Sequence, residues 1–284
     1  MGLVRDWLQN REDILRQKHK EQVDDALRKL SLVPSGKVFA DFAAEKKMFI
    51  RVVGDLPSST LAVYRPSRFV DLAHGFTPET LAHELHHAMQ DAAGLTLHRK
   101  TDARANIIMT RFEEADAFAR ETQVAWELTV HGVDPAAWRR IRRAAPFQVS
   151  AFEKAFKHDS QADRNGWALR AAFDAFFANR VLKNDYDRYA LRQSGEQIER
   201  IRQGQRANTL QDKKRPDGAP AFLSAEHLRE FGALADGTNY LSGADTTAAF
   251  YVAAFSGGNR SRLEKITREY ETMYKKPVPA RNAP

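Results

Sequence analysis

Apolar positions at Val4, Trp7, Leu8, Ile14, Leu15, Val23, Leu27 and Leu30 recur at helical spacing among many charges. They predict one or two amphipathic helices over residues 3–30, until Val33-Pro-Ser-Gly breaks the pattern. Three short stretches rich in β-formers follow, KMFIRVV (47–53), TLAVYR (60–65) and RFVDLA (68–73), separated by Gly, Pro and Ser. Such stretches predict a small antiparallel sheet. At Thr77-Pro-Glu-Thr a helix opens, with Thr77 as N-cap and Pro78 at the first helical position, where a missing N–H costs nothing; Gly94 is the natural stop. Helical patterning returns over 101–130 and again over 135–145, 150–158, 165–193, 195–206 and 224–235, so the expected class is α+β, predominantly helical. The charged, Pro-containing stretch 211–220 reads as a loop or linker, and no internal repeat is present. The expected organisation is an N-terminal amphipathic helical segment (1–34), a core carrying the sheet and the motifs below (35–146), a helical C-terminal region packing on that core (147–274) and a disordered tail (275–284).

Composition narrows the setting. With 43% hydrophobic and 29% charged residues in 284, the chain is of ordinary soluble globular type. Its longest apolar runs are too short to span a bilayer, so no transmembrane segment is expected. The first residues carry charges where a secretory signal needs an apolar stretch, so the cytoplasm is the default location, with export by a route lacking such a signal left open. Without cysteine there are neither disulfides nor thiolate ligands, and any metal site must be built from His, Asp and Glu. A net charge of +7 favours acidic partners. The basic runs at 139–143, 202–206 and 213–215 read as solvated helix faces, since no nucleic-acid-binding motif accompanies them. Nothing in the sequence sets the oligomeric state.

Three of the nine histidines fall within TLAHELHHAMQ (80–90), where His83, Glu84 and His87 match HExxH. This chain's own composition would produce that pattern by accident in roughly two of a hundred such sequences, so its helical context has to give it meaning. On a helix His83 and His87 lie one turn apart on one face, both able to reach one ion, with Glu84 beside them and Leu81, Leu85, Ala88 and Ala92 opposite. His86 does not share the ligand face. Zinc held by two histidines needs a third protein ligand, and a carboxylate from a second helix is one solution. RFEEADAFARE (111–121) offers it. With Ile108, Phe112, Ala115, Ala119, Thr122 and Trp126 as that helix's buried stripe, Glu113 points to solvent, whereas Glu114 lies at the stripe's border and is the expected ligand. Asp116, on the other border, is expected to hold a histidine ring from behind or else to be a surface charge.

LAHELHHAMQDA together with EEADAFA resembles the gluzincin clan of zinc metallopeptidases. The second motif is similar to the EANxFA segment of ImmA/IrrE-type enzymes, and both are similar to a group of bacterial metallopeptidase-like proteins. The resemblance spans residues 60–125. Asp116 stands two residues after Glu114, not four as in the thermolysin-like pattern, and ImmA/IrrE-type chains have Asn at that position. The resemblance implies a polypeptide substrate held by an edge strand just before the first motif, the place RFVDLA occupies. It also implies hydrolysis by a zinc-activated water, with Glu84 as general base. A donor for the developing oxyanion is then needed, and Tyr240 is the expected one, His227 and His158 being the other candidates. Competing readings are a secreted toxin or effector protease with the same chemistry, and a basic nucleic-acid-binding or regulatory protein on a degenerate peptidase fold.

Overall fold

The computed structural model describes residues 2–56, 60–66, 68–96, 103–203, 225–234, 236–242 and 257–275. Its elements, in chain order, are α1 (Gly2–Ser31), α2 (Pro34–Glu45), β1 (Phe49–Val52), β2 (Ala62–Arg65), β3 (Phe69–Leu72), α3 (Pro78–Ala92) and α4 (Ala103–Val130). They continue with α5 (Ala137–Ala144), α6 (Pro146–His158), α7 (Trp167–Ala178), α8 (Arg180–Arg202), α9 (Ala225–Glu230) and α10 (Gly257–Lys275). The α+β, predominantly helical class is as expected. The stretch 211–220 and the tail beyond Lys275 lie outside the described residues.

Two compact units interleave along the chain. The first contains residues 1–94, 115–175 and 234–240, the second 95–114, 176–233 and 241–284. The uninterrupted helix α4 contributes to both.

In the first unit α1 is one helix, and Val33-Pro-Ser-Gly does not end the helical region. Pro34 opens α2, since a first-turn N–H needs no partner. Gly36 lets α2 approach α1 closely: a Cβ there would lie 2.5 Å from the Leu30 carbonyl oxygen. The sheet has the order β1-β3-β2, with β1 parallel and β2 antiparallel to β3. It is therefore mixed, not antiparallel. RFVDLA forms the central strand and β2 is an edge, so the expectation that RFVDLA is the substrate-holding edge is overturned. Strand β3 pairs with β1 on one side and with β2 on the other, which leaves β2 at an edge. Val70 and Leu72 of β3 enter a core with Leu30, Phe39, Leu81, Leu85, Val124, Leu128, Ile141 and Val149, all buried. At about 1.5–3 kcal/mol for each large apolar side chain withdrawn from water, this core fixes α3 against the sheet and α4.

Helix α3 begins as expected, the Thr77 hydroxyl accepting from the Thr80 amide at 3.3 Å, and it stops before Gly94, whose φ is +74°. Ala92, expected to pack inward, is exposed. Its first turn is clamped by Arg140 of α5, whose guanidinium donates to both oxygens of buried Glu79 (2.8 and 2.9 Å) and to Asp134 (2.8 Å). One arginine of the basic run 139–143 is thus an internal brace. The stripe residues Ile108, Phe112, Ala115, Ala119 and Thr122 of α4 are buried as expected, but burial extends beyond the stripe to the polar residues Arg111, Asp116, Glu121, Gln123 and Glu127.

In the second unit Ala103 and Ile107 of α4 pack with Ala190, Leu191 and Ile198 of α8 and with Leu263 and Ile266 of α10. Arg111 and Asp187, both fully buried, form a two-armed ion pair at 2.7 Å. The helix expected over 165–193 breaks at Asn179, whose side chain accepts from the Leu182 amide at 3.2 Å and so caps α8. No break occurs near 194. Ser194 donates to the Ala190 carbonyl and accepts from Asn106, which lets the helix run on to Arg202.

Candidate metal centre

Helix α3 presents His83, His87 and Gln90 along one stripe, and α4 presents Glu114, Phe118 and Glu121 at i, i+4 and i+7. The Nε2 atoms of His83 and His87 face each other 3.1 Å apart. His83, His87 and Glu114 each offer a ligand atom, and the three atoms lie within 4.8 Å of one another. Glu114 stands on α4 one turn before Phe118, whose ring meets the His83 ring edge-on with centroids 5.0 Å apart.

The outer nitrogens of both imidazoles are engaged. His83 Nδ1 is 3.0 Å from a carboxylate oxygen of Glu121, and His87 Nδ1 is 2.9 Å from Gln90 Oε1. Burial pushes the Glu121 carboxyl above its ordinary range against the opposing pull of His83. Glu121 was not singled out from the sequence. The available signal was its position two turns after Glu114, which puts it on the same helical face.

Glu84 is buried, and its Oε2 accepts from the Tyr64 amide at 2.5 Å. This amide belongs to the edge strand β2 and points away from β3. Tyr64 also donates its hydroxyl to Asp91 at 2.5 Å, and burial with that carboxylate raises its phenol well above the ordinary value.

Asp116 is buried and meets His86, not a residue of the HExxH pair, at 2.5 Å through His86 Nε2. It also accepts from Gln90 Nε2 (3.1 Å), the Tyr240 hydroxyl (2.6 Å) and Arg120 Nε (3.3 Å). Burial alone would raise its carboxyl, yet His86, Arg120 and Tyr240 together hold it below the usual carboxylate range. Burial pushes His86 below its ordinary value against the opposing pull of Asp116. Tyr240, expected to lean over a cleft from a loop, is 7% exposed and spends its hydroxyl on Asp116. Burial and Asp116 raise its phenol far above the ordinary value, so it remains a donor. His227 and His158 do not join the group formed by His83, His87 and Glu114.

The site therefore belongs to the class of helix-borne His/His/Glu clusters on an α+β scaffold. Residues 70–241, well over half of the chain, match the family described as "Putative metallopeptidase family (DUF6782)", and the chain belongs to that family. No curated protein and no solved structure matches the chain.

The residues present fit a metal ion. Tetrahedral zinc with bonds of 2.0–2.1 Å to two imidazoles places their nitrogens about 3.3 Å apart. The 3.1 Å between the Nε2 atoms is close to that value. Among the described residues, no helix is long and apolar enough to cross a membrane.

Proposed function

We propose that the protein is a zinc-dependent peptidase of gluzincin type, in which His83, His87 and Glu114 hold the ion and Glu84 is the general base. The observation that carries this reading is the facing pair of Nε2 atoms, 3.1 Å apart, with each Nδ1 engaged behind it. Two bare nitrogens at that separation repel each other, so either a proton or a cation lies between them. The Glu121 carboxylate strengthens His83 as a ligand and fixes the plane of its ring.

Bound zinc would supply Lewis acidity toward a water molecule and a substrate carbonyl. Glu84 takes the proton of the attacking water and returns it to the leaving amine. The Tyr64 amide holds one oxygen of Glu84, which orients the carboxylate and ties it to β2. An extended polypeptide pairing with the outer edge of β2 would run past Glu84, so β2 takes the role first expected of RFVDLA. Bringing Glu114 to ligand distance requires its oxygen to close on nitrogens now within 4.8 Å, a side-chain adjustment.

Metal analysis beside a Glu84→Gln variant tests the reading. About one equivalent of zinc is expected in both proteins, as the site has one cluster, with cleavage of an unstructured protein lost in the variant. Activity that survives the substitution removes Glu84 as the base. Glu114→Ala should strip the metal far more than Glu113→Ala; the reverse result assigns the other carboxylate.

A further inference from the structure

Besides its three histidines, α3 turns Gln90 toward α4, and the orientation of its amide is decided by what lies behind it. Asp116 is a carboxylate with donors on both oxygens. Tyr240 and Arg120 donate to Oδ1, while His86 and Gln90 donate to Oδ2. A carboxylate accepts and does not donate, so Gln90 must offer it the amide N–H. Its carbonyl oxygen then faces the other way, toward His87 Nδ1 at 2.9 Å. A carbonyl oxygen accepts only, so His87 carries its proton on Nδ1 and turns a bare Nε2 toward His83. Each link sets the direction of the next.

We propose that Gln90 and Asp116 are positioning residues that dictate which ring nitrogen of His87 is available to a metal, and that Tyr240 anchors this relay and does not touch the substrate. The inference rests on the metal-centre reading for its purpose, but its geometry lies entirely within the relay. Tyr240, 124 residues along the chain from Asp116, makes the loop at 236–242 part of the metal site's support.

Replacement of Asp116 by its isosteric amide reverses the chain of donors. Arg120 can only donate, so the new side chain turns its oxygen toward Arg120 and Tyr240 and its NH2 toward His86 and Gln90, with His86 accepting on Nε2 once its own proton moves to Nδ1. Gln90 then flips, presents its own NH2 to His87 Nδ1 and drives the ring proton to Nε2, the form that cannot bind a metal through that atom. A second substitution, Gln90→Glu, restores an acceptor on both sides and returns the proton to Nδ1.

Long-range nitrogen-15 NMR of the metal-free protein reads the tautomer of His87 directly, and zinc competition against a chromophoric chelator reads affinity. The expected results are an Nδ1–H ring in the wild type and an Nε2–H ring in Asp116→Asn. The latter should bind zinc roughly 10–100-fold more weakly, the usual loss when the support of a metal-binding histidine is removed. Both properties should be recovered in the Asp116→Asn, Gln90→Glu double variant. An unchanged His87 ring in Asp116→Asn overturns the proposal, as does a double variant that recovers neither property. Should Asp116→Asn fail to fold, Gln90→Leu cuts the same link, and a single Nδ1–H form persisting there equally overturns it. Tyr240→Phe leaves Arg120 alone on Asp116 Oδ1 and should weaken zinc binding by up to about 10-fold, and an unchanged zinc affinity would sink the anchoring role. If the wild type takes up no zinc, the peptidase reading falls while the tautomer measurement still decides the relay.

Discussion

Replacing Glu121 by glutamine should move metal affinity and folding stability in opposite directions. Its carboxylate sits 3.0 Å from His83 Nδ1, both side chains are about 10% exposed, and burial raises the carboxyl above its ordinary range. In the metal-free protein this is a charge held in poorly solvating surroundings, and a neutral side chain of the same shape relieves that cost. With zinc bound, the balance inverts. A negative group behind the imidazole increases the ligand's basicity, and its loss is expected to weaken zinc binding about 10–100-fold, or roughly 1.4–2.7 kcal/mol. Chelator competition gives the first quantity and thermal unfolding in excess chelator the second. The metal-free Tm of Glu121→Gln should equal or exceed that of the wild type while the zinc Kd rises. A Kd within about twofold of wild type would refute the orienting role, and a lower metal-free Tm would refute the placement of the cost in the buried carboxylate.

Asp187→Ala leaves the guanidinium of fully buried Arg111 without its two-armed partner and should destabilise the second unit by about 3–5 kcal/mol, measured by urea unfolding. The pH dependence of stability has an expected source in Glu127, whose carboxyl burial raises despite donation from the Ser35 hydroxyl and amide. A carboxyl raised on folding stabilises fully below its unfolded value, and that contribution is lost as pH rises through its folded value. Glu127→Gln can still accept from the Ser35 amide and donate to its hydroxyl, so the variant should lack that decline in denaturant titrations run across pH; an identical decline would locate the source elsewhere. Removal of zinc by chelation should lower Tm in a concentration-dependent way. At a free zinc concentration 100 times Kd the bound ion contributes about 2.7 kcal/mol, which differential scanning calorimetry resolves.

Local rules made α3 legible residue by residue. The Thr77 cap, Pro78 in the first turn, the stop before Gly94 and the shared face of His83 and His87 all follow from helix geometry and needed no knowledge of the rest of the chain. The predominantly helical α+β class was readable for the same reason, since hydrophobic period depends on neighbours three or four residues away. Long-range pairing was not. Whether RFVDLA is an edge or the centre depends on whether β1 pairs with it, and no local pattern in β3 encodes that. The buried carboxylate of Asp116 could not be read from the apolar stripe of α4, because its partners His86 and Tyr240 stand 30 and 124 residues away in the chain. By itself, then, the sequence determined that two imidazoles and a nearby glutamate share one helix. Only the tertiary structure decided what stands behind them: Glu121 at His83, Gln90 relaying Asp116 to His87, and Tyr240 turned inward as an anchor. The physical reason is that a hydrogen bond's direction is set by every partner it meets in space, and those partners come together only when the chain has folded.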